Sequence, residues 1–466
     1  MMKNRTRNGD KMMTRSGLLL MMGCLLGGLA SAASADSAVK VPATLAGHAV
    51  LPVETRAVMP EDAPEFMKIT GKYTRGGLRT EELGTVQGLS GGRPTGLSLP
   101  IKGLPQQGHS GIKRMEDGSF WVLADNGYGA KRTSPDTMLF LTQFDIDFKS
   151  GKVDPKGHIF LHDPDKKVPF FIVNEDTEKR YLTGSDFDPE SFQFAGGFLW
   201  VGEEFGPYLI KADMTGKVVE IFETVVDGKV VQSPDNPFLK TSGTPAEKTL
   251  FQVKRSKGFE GMASSPDGQT LYPLLEGALW DEEKGAFENV DGKDYLRILE
   301  FDVKEGKWTG RSWQYVLEDN SYAIGDFNMI DEKRALVIER DNGEGTADKA
   351  CKPGAEDTKS CFANIAKFKR VYLIEFADEN VNAPVRKVAY IDLMDIQDPN
   401  KLARKPLNEG RFTFPFFTIE DVDIVDESHI VVGNDNNYPF SSSREPNQAD
   451  DNEFILLSVP ELLKAR

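Results

Sequence analysis

The sequence predicts an all-β fold, a β-propeller built from five or six four-stranded antiparallel blades. Five segments share one hairpin pattern, in which a polar residue opens a short strand and an acidic residue closes a second, more apolar strand. Apolar runs of strand length lie between these hairpins, and the one segment with a useful helical pattern is the terminal "PELLKAR". Because a propeller repeats one four-stranded unit around a central axis, it accounts for five copies of the same hairpin.

The five hairpins have similar lengths. From the opening polar residue to the closing acid they span about 13 to 16 positions, enough for two strands of about six residues and a tight turn. A β-sandwich would not explain acids at matched positions in every copy. The five pairs are Ser110 and Asp125, Glu190 and Glu203, Glu260 and Glu276, Asp326 and Glu339, and Glu420 and Asp435.

The segments between the hairpins supply the other strands of each blade. Predicted third strands are "TMLFLTQFDID", "YLRILEFDVKEGKW", "KRVYLIEFAD" and "NEFILLSVP", and predicted fourth strands are "RSWQYVLE" and "VRKVAYIDL". We expect "EFMKITGKYT" (65–74) to close the ring as an outer strand beside "NEFILLSVP", and residues 211–255 leave room for a sixth blade. The predicted propeller domain covers residues 65–460 and follows an N-terminal extension over residues 36–64.

Residues 1–35 have the pattern of a signal peptide. Basic residues between Lys3 and Arg15 precede the apolar run "SGLLLMMGCLLGGLA", and "ASAASADS" offers small-residue cleavage sites. The apolar run is about 14 residues long, shorter than the roughly 20 that a membrane-spanning helix needs. A retained anchor and a lipoprotein attached through Cys24 are the alternatives. We expect cleavage after Ala35 and a periplasmic or secreted monomer with no stable membrane insertion.

The charge of the chain restricts its partners. The 466 residues carry a formal net charge of −16, and cleavage after Ala35 leaves 51 basic and 71 acidic residues, a net charge of −20. A nucleic acid is therefore not expected as a partner, because it is itself a polyanion. Metal cations are favoured, although solubility alone explains part of the charge.

Two cysteines remain after cleavage, Cys351 and Cys361, ten positions apart in a polar segment. In an exported protein, a disulfide that closes this short loop is the expected state. A zinc site is not expected, because no histidine lies near the pair.

The polar residues of the five hairpins are the candidate site. The first strand of each blade lines the central channel of a propeller, so side chains there converge on the axis. Carboxylates brought close together repel one another unless a cation lies between them, and hard oxygen ligands suit Ca²⁺. Alternatively, each acid bonds backbone N–H groups between neighbouring blades. The candidate catalytic residues are His109, Glu190, Glu260 and Glu420, and the candidate metal ligands are Asp125, Glu203, Glu204, Glu276, Glu339, Asp421 and Asp435.

Other catalytic patterns are weaker. His109 on the predicted channel is a candidate general base or phosphate contact, with a hydrogen-bonded structural histidine as the alternative. Ser110 would point to the opposite face of the same strand, so a serine–histidine dyad is not expected. The stretch "GLSGG" (88–92) matches a nucleophile motif but lacks the helix that this motif requires. Lys113, Arg132 and Arg340 are candidates for holding an anionic group.

Several motifs together resemble a known family. These are "DNGYG", "DPESF", "LWVGEEFGPYLIKAD", "FEGMASSPDGQTLYPLLEG", "ALVIERDNG", "EDVDIV" and "VVGNDNNYPF", in this order between about residues 70 and 458. They resemble the phytase-like family of exported bacterial proteins, known for an esterase-like activity of phytase. The resemblance implies a β-propeller and cleavage of phosphate esters or carboxyl esters. Related propeller phytases use calcium held by acidic residues at the channel.

The expected function is therefore metal-assisted hydrolysis of a small-molecule ester or phosphoester in an acidic central funnel. Two alternatives stay open. One is a lactonase-like enzyme on a similar propeller, and the other is a non-catalytic propeller that binds calcium.

Overall fold

Five antiparallel sheets of four main strands each form the blades of a propeller. The computed structural model describes residues 38–245 and 248–466, and the predicted signal peptide over residues 1–35 lies outside them. The predicted all-β propeller is confirmed. Its strands are His109–Arg114, Phe120–Ala124, Phe140–Asp147 and Lys152–Phe160 in blade 1; Pro189–Ala195, Phe198–Glu203, Tyr208–Ala212 and Val218–Glu223 in blade 2; Phe259–Ser264, Thr270–Leu275, Lys293–Asp302 and Lys307–Val316 in blade 3; Ala323–Met329, Arg334–Arg340, Lys369–Glu375 and Arg386–Asp392 in blade 4; and Asp421–Ile424, His429–Gly433, Asn452–Ser458 and Ala43–Leu51 in blade 5.

The first strands of the blades surround the axis in chain order. Each contacts the first strand of the next blade, and the first strand of blade 5 contacts that of blade 1. The ring is therefore closed. The predicted third and fourth strands occupy these places in the blades.

The number of blades is five. Residues 208–223, which include the start of the region left open for a sixth blade, form the last two strands of blade 2. The rest of that region holds, among its described residues, only the short hairpin of Val225–Val226 and Lys229–Val230. The alternative of six blades is thus excluded for the described chain.

The strand that closes the ring differs from the predicted one. Ala43–Leu51 runs antiparallel to Asn452–Ser458, with Leu45 opposite Leu457. The predicted closing segment, 65–74, instead begins with the 3-10 helix Glu65–Lys68. Alternate residues of "ATLAGHAVL" are buried, as expected for an outer strand. The closing strand therefore lies inside the segment that is predicted to be an N-terminal extension. The sequence does not indicate a strand there, because its small residues give only a weak apolar alternation.

Apolar side chains fill the spaces between blades. Trp200 of blade 2 contacts Phe301 of blade 3, with ring centroids 5.4 Å apart. Trp313 of blade 3 contacts Phe376, which follows the third strand of blade 4, at 5.0 Å. The hydrophobic core thus lies between the sheets, so the channel is free to carry polar side chains.

Short elements complete the structure. Cys351 and Cys361 form the predicted disulfide. No helix in the described ranges is long and apolar enough to cross a membrane. The short strands are Val39–Lys40, Arg56–Ala57, Ile69–Thr70, Val86–Ser90, Arg93–Leu99, Ile101–Lys102, Leu104–Pro105, Val225–Val226, Lys229–Val230, Trp280–Asp281, Ala286–Phe287, Asn289–Val290 and Ile396–Gln397, and the helices are Glu65–Lys68, Ala347–Lys349, Asp378–Asn380 and Pro460–Lys464.

Leu45→Ala tests the closing strand. Leu45 is fully buried against blades 4 and 5, so we expect a loss of about 2 to 4 kcal/mol in the free energy of unfolding. One cooperative transition in urea, monitored by circular dichroism, should shift as a whole. Val39→Ala, at a side chain that is 62% exposed, is the control and should change stability by about 0.5 kcal/mol or less. Equal stability of the two variants, or a separate transition for blade 5, would contradict the closure.

Candidate functional site

The first strands of blades 1 to 4 each pair with the second strand through an irregular register near their start, and in blade 5 regular pairing begins at Asp421, directly after Glu420. The extra residue relative to the second strand is Glu190 in blade 2 and Glu260 in blade 3. The registers place Ser110, Gly325 and Glu420 at the same position in blades 1, 4 and 5. A bulge redirects side chains locally. At these matched positions, Glu190, Glu260 and Glu420 approach one another.

The residues just beyond the second strands form a second tier. The backbone N–H groups of Asp125, Glu204 and Glu276 each donate to the chain that leads into the first strand of their own blade. In blade 4 the equivalent place belongs to Arg340, which pairs with Ala323 of the first strand. In blade 5 it belongs to Asp435, whose carboxyl group accepts a hydrogen bond from the Thr418 hydroxyl. This tier therefore holds four acids and one arginine.

Eight carboxyl groups interact electrostatically at this end of the channel, and we call them the acidic cluster. Six are mostly buried, whereas Asp125 and Glu190 are partly exposed. The members are Asp125, Asp188, Glu190, Glu204, Glu260, Glu276, Glu420 and Asp435.

Positive charge near the cluster is sparse. Of the ion pairs formed within residues 38–245 and 248–466, two involve it: Lys257 with Glu276, and Arg340 with Glu420 at 3.1 Å. Ser110 also donates to Glu420, at 3.3 Å. Two cations cannot neutralise eight ionised carboxyl groups, so the cluster must hold protons or further cations.

Burial and mutual repulsion keep several of these groups protonated near neutral pH. Burial, followed by repulsion from nearby acids, raises the pKa of Asp188 to about 8. Burial raises the pKa of Asp125 to about 7. The pKa values of Glu190, Glu204, Glu260 and Asp435 are raised well above the ordinary range by burial and then by neighbouring carboxylates.

Two triads of carboxylates within the cluster have the spacing of metal ligands. Asp188, Glu190 and Glu204 form one, and Glu204, Glu260 and Glu276 form the other, with the oxygens of each triad within 4.8 Å of one another. Glu204 belongs to both. The buried Oδ1 of Asp188 has no hydrogen-bond partner in the described chain. A hard cation such as Ca²⁺ or Mg²⁺ fits this donor set, since both prefer carboxylate oxygens.

The structure brings together most of the residues predicted from sequence. Glu190, Glu260 and Glu420 meet, and so do the predicted ligands Asp125, Glu204, Glu276 and Asp435. His109, Glu203, Glu339 and Asp421 lie elsewhere. Neighbouring residues of a strand point to opposite faces, and this separates the two groups.

Glu203 is held by hydrogen bonds within blade 2, and Glu339 of blade 4 reaches Tyr315 of blade 3. The Glu203 carboxyl accepts backbone N–H groups of Phe205, Gly206 and Tyr208 at 2.7 to 2.8 Å. Glu339 accepts from the Tyr315 hydroxyl and from Lys387, each at 2.7 Å. Both acids therefore have a structural role. A role of this kind, hydrogen bonding to backbone N–H groups, is the alternative to metal binding that the sequence left open.

His109 and Asp421 lie in packed surroundings. The His109 ring is fully buried beside Phe144 and Phe454, with centroids 5.9 and 5.5 Å away, and burial lowers its pKa to about 3. Its Nδ1 is 3.9 Å from Asp421 Oδ2, and Asp421 accepts the Gly111 N–H at 3.0 Å. A neutral, enclosed imidazole does not reach a substrate in this arrangement.

A hydrogen-bonded group of side chains fills the channel further along the first strands. Asp326 accepts the N–H groups of Ile112 and Val422, and Asn328 accepts from Lys113 and Gln193. We call this group the polar plug; it also includes Asp423, which pairs with Lys113 at 3.2 Å.

Two members of the site were not predicted. Asp188 stands two residues before Glu190, and Lys257 three residues before Glu260. The two-residue spacing of Asp188 and Glu190 is a signal for a shared face of a strand. Lys257 has no such signal, because it lies in the irregular chain before the strand.

Comparisons with known proteins give a curated relative, a family model and several weak likenesses to solved structures. A curated relative, an uncharacterized secreted protein of Arthroderma benhamiae, is 30% identical over 174 residues, which is 32% of this chain and 33% of that protein. The chain thus spans about a third of the length of the relative it matches.

Among solved structures, the chain is similar to the periplasmic gluconolactonase PpgL of Pseudomonas aeruginosa, with 13% identity, 83% of this chain and 98% of that chain covered, and a TM-score of 0.29. It is also similar to a putative 6-phosphogluconolactonase of Bacteroides uniformis, with 12% identity, 80% and 92% covered, and a TM-score of 0.28. Similarities this weak support no statement about the function of this chain.

The family comparison is stronger, because its match covers most of the chain. The model for the phytase-like family, described as having the esterase-like activity of phytase, matches residues 104–438. This range contains the first two strands of all five blades and the whole acidic cluster. The chain belongs to the phytase-like family.

Proposed function

We propose that this protein is a metal-assisted hydrolase that cleaves phosphate esters or carboxyl esters at the acidic cluster. The observation that carries the proposal is the pair of carboxylate triads that share Glu204, with the unpartnered Oδ1 of Asp188 in one of them. The family description, esterase-like activity of phytase, supports the same class of reaction.

Calcium is the cation that we propose for the cluster. Asp188, Glu204, Glu260 and Glu276 are the residues that would hold it. Once bound, a divalent cation polarises a phosphoryl or carbonyl oxygen and makes water a better nucleophile. The acids would then be ionised, since a cation replaces the protons that the crowded carboxyl groups otherwise retain.

Arg340 is the proposed contact for the oxygen that gains negative charge. Its guanidinium donates to Glu420 at 3.1 Å and to Asn342 at 3.2 Å, and its buried Nε–H has no partner among the described residues. Donors held in place by other contacts stabilise a developing oxyanion without reorganising.

Glu190 is the proposed proton carrier. It is partly exposed, unlike Glu204 and Glu260, and it forms no ion pair in the described ranges. Burial and nearby acids raise the pKa of Glu190, so its carboxyl group retains a proton that it can transfer. His109 has no part in this proposal, because it is enclosed by phenylalanine rings.

We also propose that the protein is exported. The signal-like pattern of residues 1–35 supports export, and the curated relative is named as a secreted protein.

The first experiment measures metal dependence. Purified protein is assayed on 4-nitrophenyl phosphate, 4-nitrophenyl butyrate and a panel of lactones, before and after exhaustive chelation. We expect chelation to reduce hydrolysis of one ester class by at least about 100-fold, because the cation supplies several kcal/mol of transition-state stabilisation. Added Ca²⁺ should restore it, and Mg²⁺ and Mn²⁺ are tested in parallel.

Each other outcome identifies a different function. Activity that survives chelation removes the metal from the proposal. Turnover of lactones alone would identify a lactonase. Tight calcium binding without turnover on any substrate would identify a binding protein.

Two adjacent glutamates provide a matched pair of variants. Glu204→Gln removes the carboxylate shared by both triads, so calcium affinity measured by calorimetry should fall by about tenfold or more. The calcium-free variant should melt at about the same temperature as wild type, since a neutral amide replaces a carboxyl group whose pKa is raised by burial and by nearby acids.

Glu203→Gln is the control with the same chemical change one residue away. Both Glu203 oxygens accept backbone N–H groups, so an amide nitrogen there should cost about 1 to 3 kcal/mol of stability. Calcium affinity should stay within about twofold of wild type, because this side chain points away from the triads. The reverse pattern would show that the cluster is structural.

The cluster also predicts how stability depends on pH. The pKa values of Asp125 and Asp188 are raised by burial to about 7 and about 8, while unfolded aspartates titrate near 4. Between pH values of about 4 and about 8, the native state therefore binds more protons than the unfolded state. The calcium-free protein should lose stability as the pH rises through this range.

Thermal melts between pH 5 and pH 8 check this dependence, with chelator in one series and calcium in the other. The stabilisation by calcium should increase with pH, because the cation competes with protons for the same oxygens. A calcium-free protein that becomes more stable toward pH 8 would contradict the protonated cluster.

A further inference from the structure

A pocket of about 530 Å³ lies at the rim of blades 1 to 3, next to the acidic cluster. Phe205 in its wall directly follows Glu204, and Ser256 directly precedes Lys257, whose ammonium group pairs with Glu276. The pocket wall is therefore continuous with the chain that carries the cluster.

The charge of this pocket is opposite to that of the cluster. Three cations line it, namely Lys131, Arg132 and Arg255, together with one acid, Asp235. Asp235 forms its ion pair with Arg255. The pocket therefore retains two positive charges after this pairing.

Neither remaining cation forms an ion pair with a carboxylate in the described ranges, although the charge of Lys131 also acts on Asp186. Lys131 donates to the main-chain oxygen of Asp235 at 3.2 Å and lies 5.5 Å from the centre of the Phe205 ring. Arg132 forms no hydrogen bond or ion pair with any residue in the described ranges, and it is exposed. Both groups are thus available to an anion that enters the pocket.

A second pocket shows that such unpaired charge is not general. It has a volume of about 210 Å³, and its cations are Lys349, Lys405 and Arg444. They pair with Glu445 at 2.6 Å, Asp451 at 3.1 Å and Glu453 at 2.6 Å. The absence of ion pairs at Lys131 and Arg132 within the described chain therefore distinguishes the pocket beside the acidic cluster from this second pocket.

We infer that the pocket is a subsite for an oxyanionic group, phosphate or carboxylate, which the substrate carries away from the bond that is cleaved. This inference rests on the proposed function for the reaction itself. An acidic cluster repels an anionic substrate, and cations at its rim offset that repulsion. Guanidinium and ammonium groups both bind phosphate and carboxylate oxygens, and the guanidinium does so through two parallel hydrogen bonds.

A binding experiment tests the subsite without any need for turnover. Inorganic phosphate and acetate are titrated by calorimetry into the full chain in the presence of chelator, so that no metal in the cluster contributes. We expect saturable binding of one anion per chain, and the tighter of the two probes identifies the preferred group. Lys131→Gln and Arg132→Gln should each weaken that binding by about tenfold, since each removes a charged hydrogen-bond donor.

Lys304→Gln is the matched control, because Lys304 is exposed on a turn of blade 3 and forms no ion pair in the described chain. It lowers the net charge by the same amount and should leave anion affinity within about twofold of wild type. The subsite is overturned if neither anion binds saturably, or if Lys304→Gln weakens binding as much as Arg132→Gln.

A second readout separates this inference from the proposed function. The 4-nitrophenyl monoester of succinic acid carries a remote carboxylate, and 4-nitrophenyl butyrate does not. With calcium present, Arg132→Gln should raise KM about tenfold for the succinate ester and leave the butyrate ester unchanged. Anion binding without hydrolysis of any ester would refute the function and retain the subsite. Hydrolysis with equal KM changes for both esters would refute the subsite and retain the function.

Discussion

The crowding of like charges at one end of the channel is the constraint on which the rest of the structure depends. Five first strands share one axis, so the acids at matched positions of blades 2, 3 and 5 meet there, Glu190 and Glu260 in bulges and Glu420 just before its strand. Removing carboxyl groups from water while gathering them raises their pKa values and costs free energy. Apolar contacts between blades, such as Trp200 with Phe301, offset that cost. The ring closed by Ala43–Leu51 holds the crowded groups in place.

Blade 4 departs from the repeat and gives the funnel two unlike sides. Its bulge residue is Gly325, where an added Cβ would collide with the Ile419 carbonyl oxygen, so no side chain fits. Its second-tier residue is Arg340, whose guanidinium reaches Glu420. The carboxylate triads lie on blades 2 and 3. An acidic side and a side with one guanidinium thus face the same space, and the proposed cleavage of an ester with a developing negative charge would use both.

The hairpin pattern was sufficient to predict the fold, because two strands and a turn repeat with acids at similar positions. It was insufficient for the individual site residues, because a bulge shifts the strand face by one residue. Glu203 and Glu204 are both acids at the end of one strand, yet the first bonds backbone N–H groups and the second joins the triads. In blade 4 the same shift replaces the predicted Asp326 and Glu339 by Gly325 and Arg340 at the matched positions. Composition alone could not reveal this, since both neighbours are polar.

Hydrogen-bond partners distinguish the acids of the polar plug from Asp188 of the acidic cluster. In the polar plug, both oxygens of Asp326 accept N–H groups, and those of Asp423 accept from Lys113 and from the backbone of Arg114. In the acidic cluster, Asp188 Oδ1 and the Nε–H of Arg340 are buried without a partner in the described chain. An unpaired buried group costs about 1 to 3 kcal/mol, so a folded protein retains few of them. In the proposed function, a bound cation would pair with the free Oδ1 of Asp188, and a substrate oxyanion would accept the free Nε–H of Arg340.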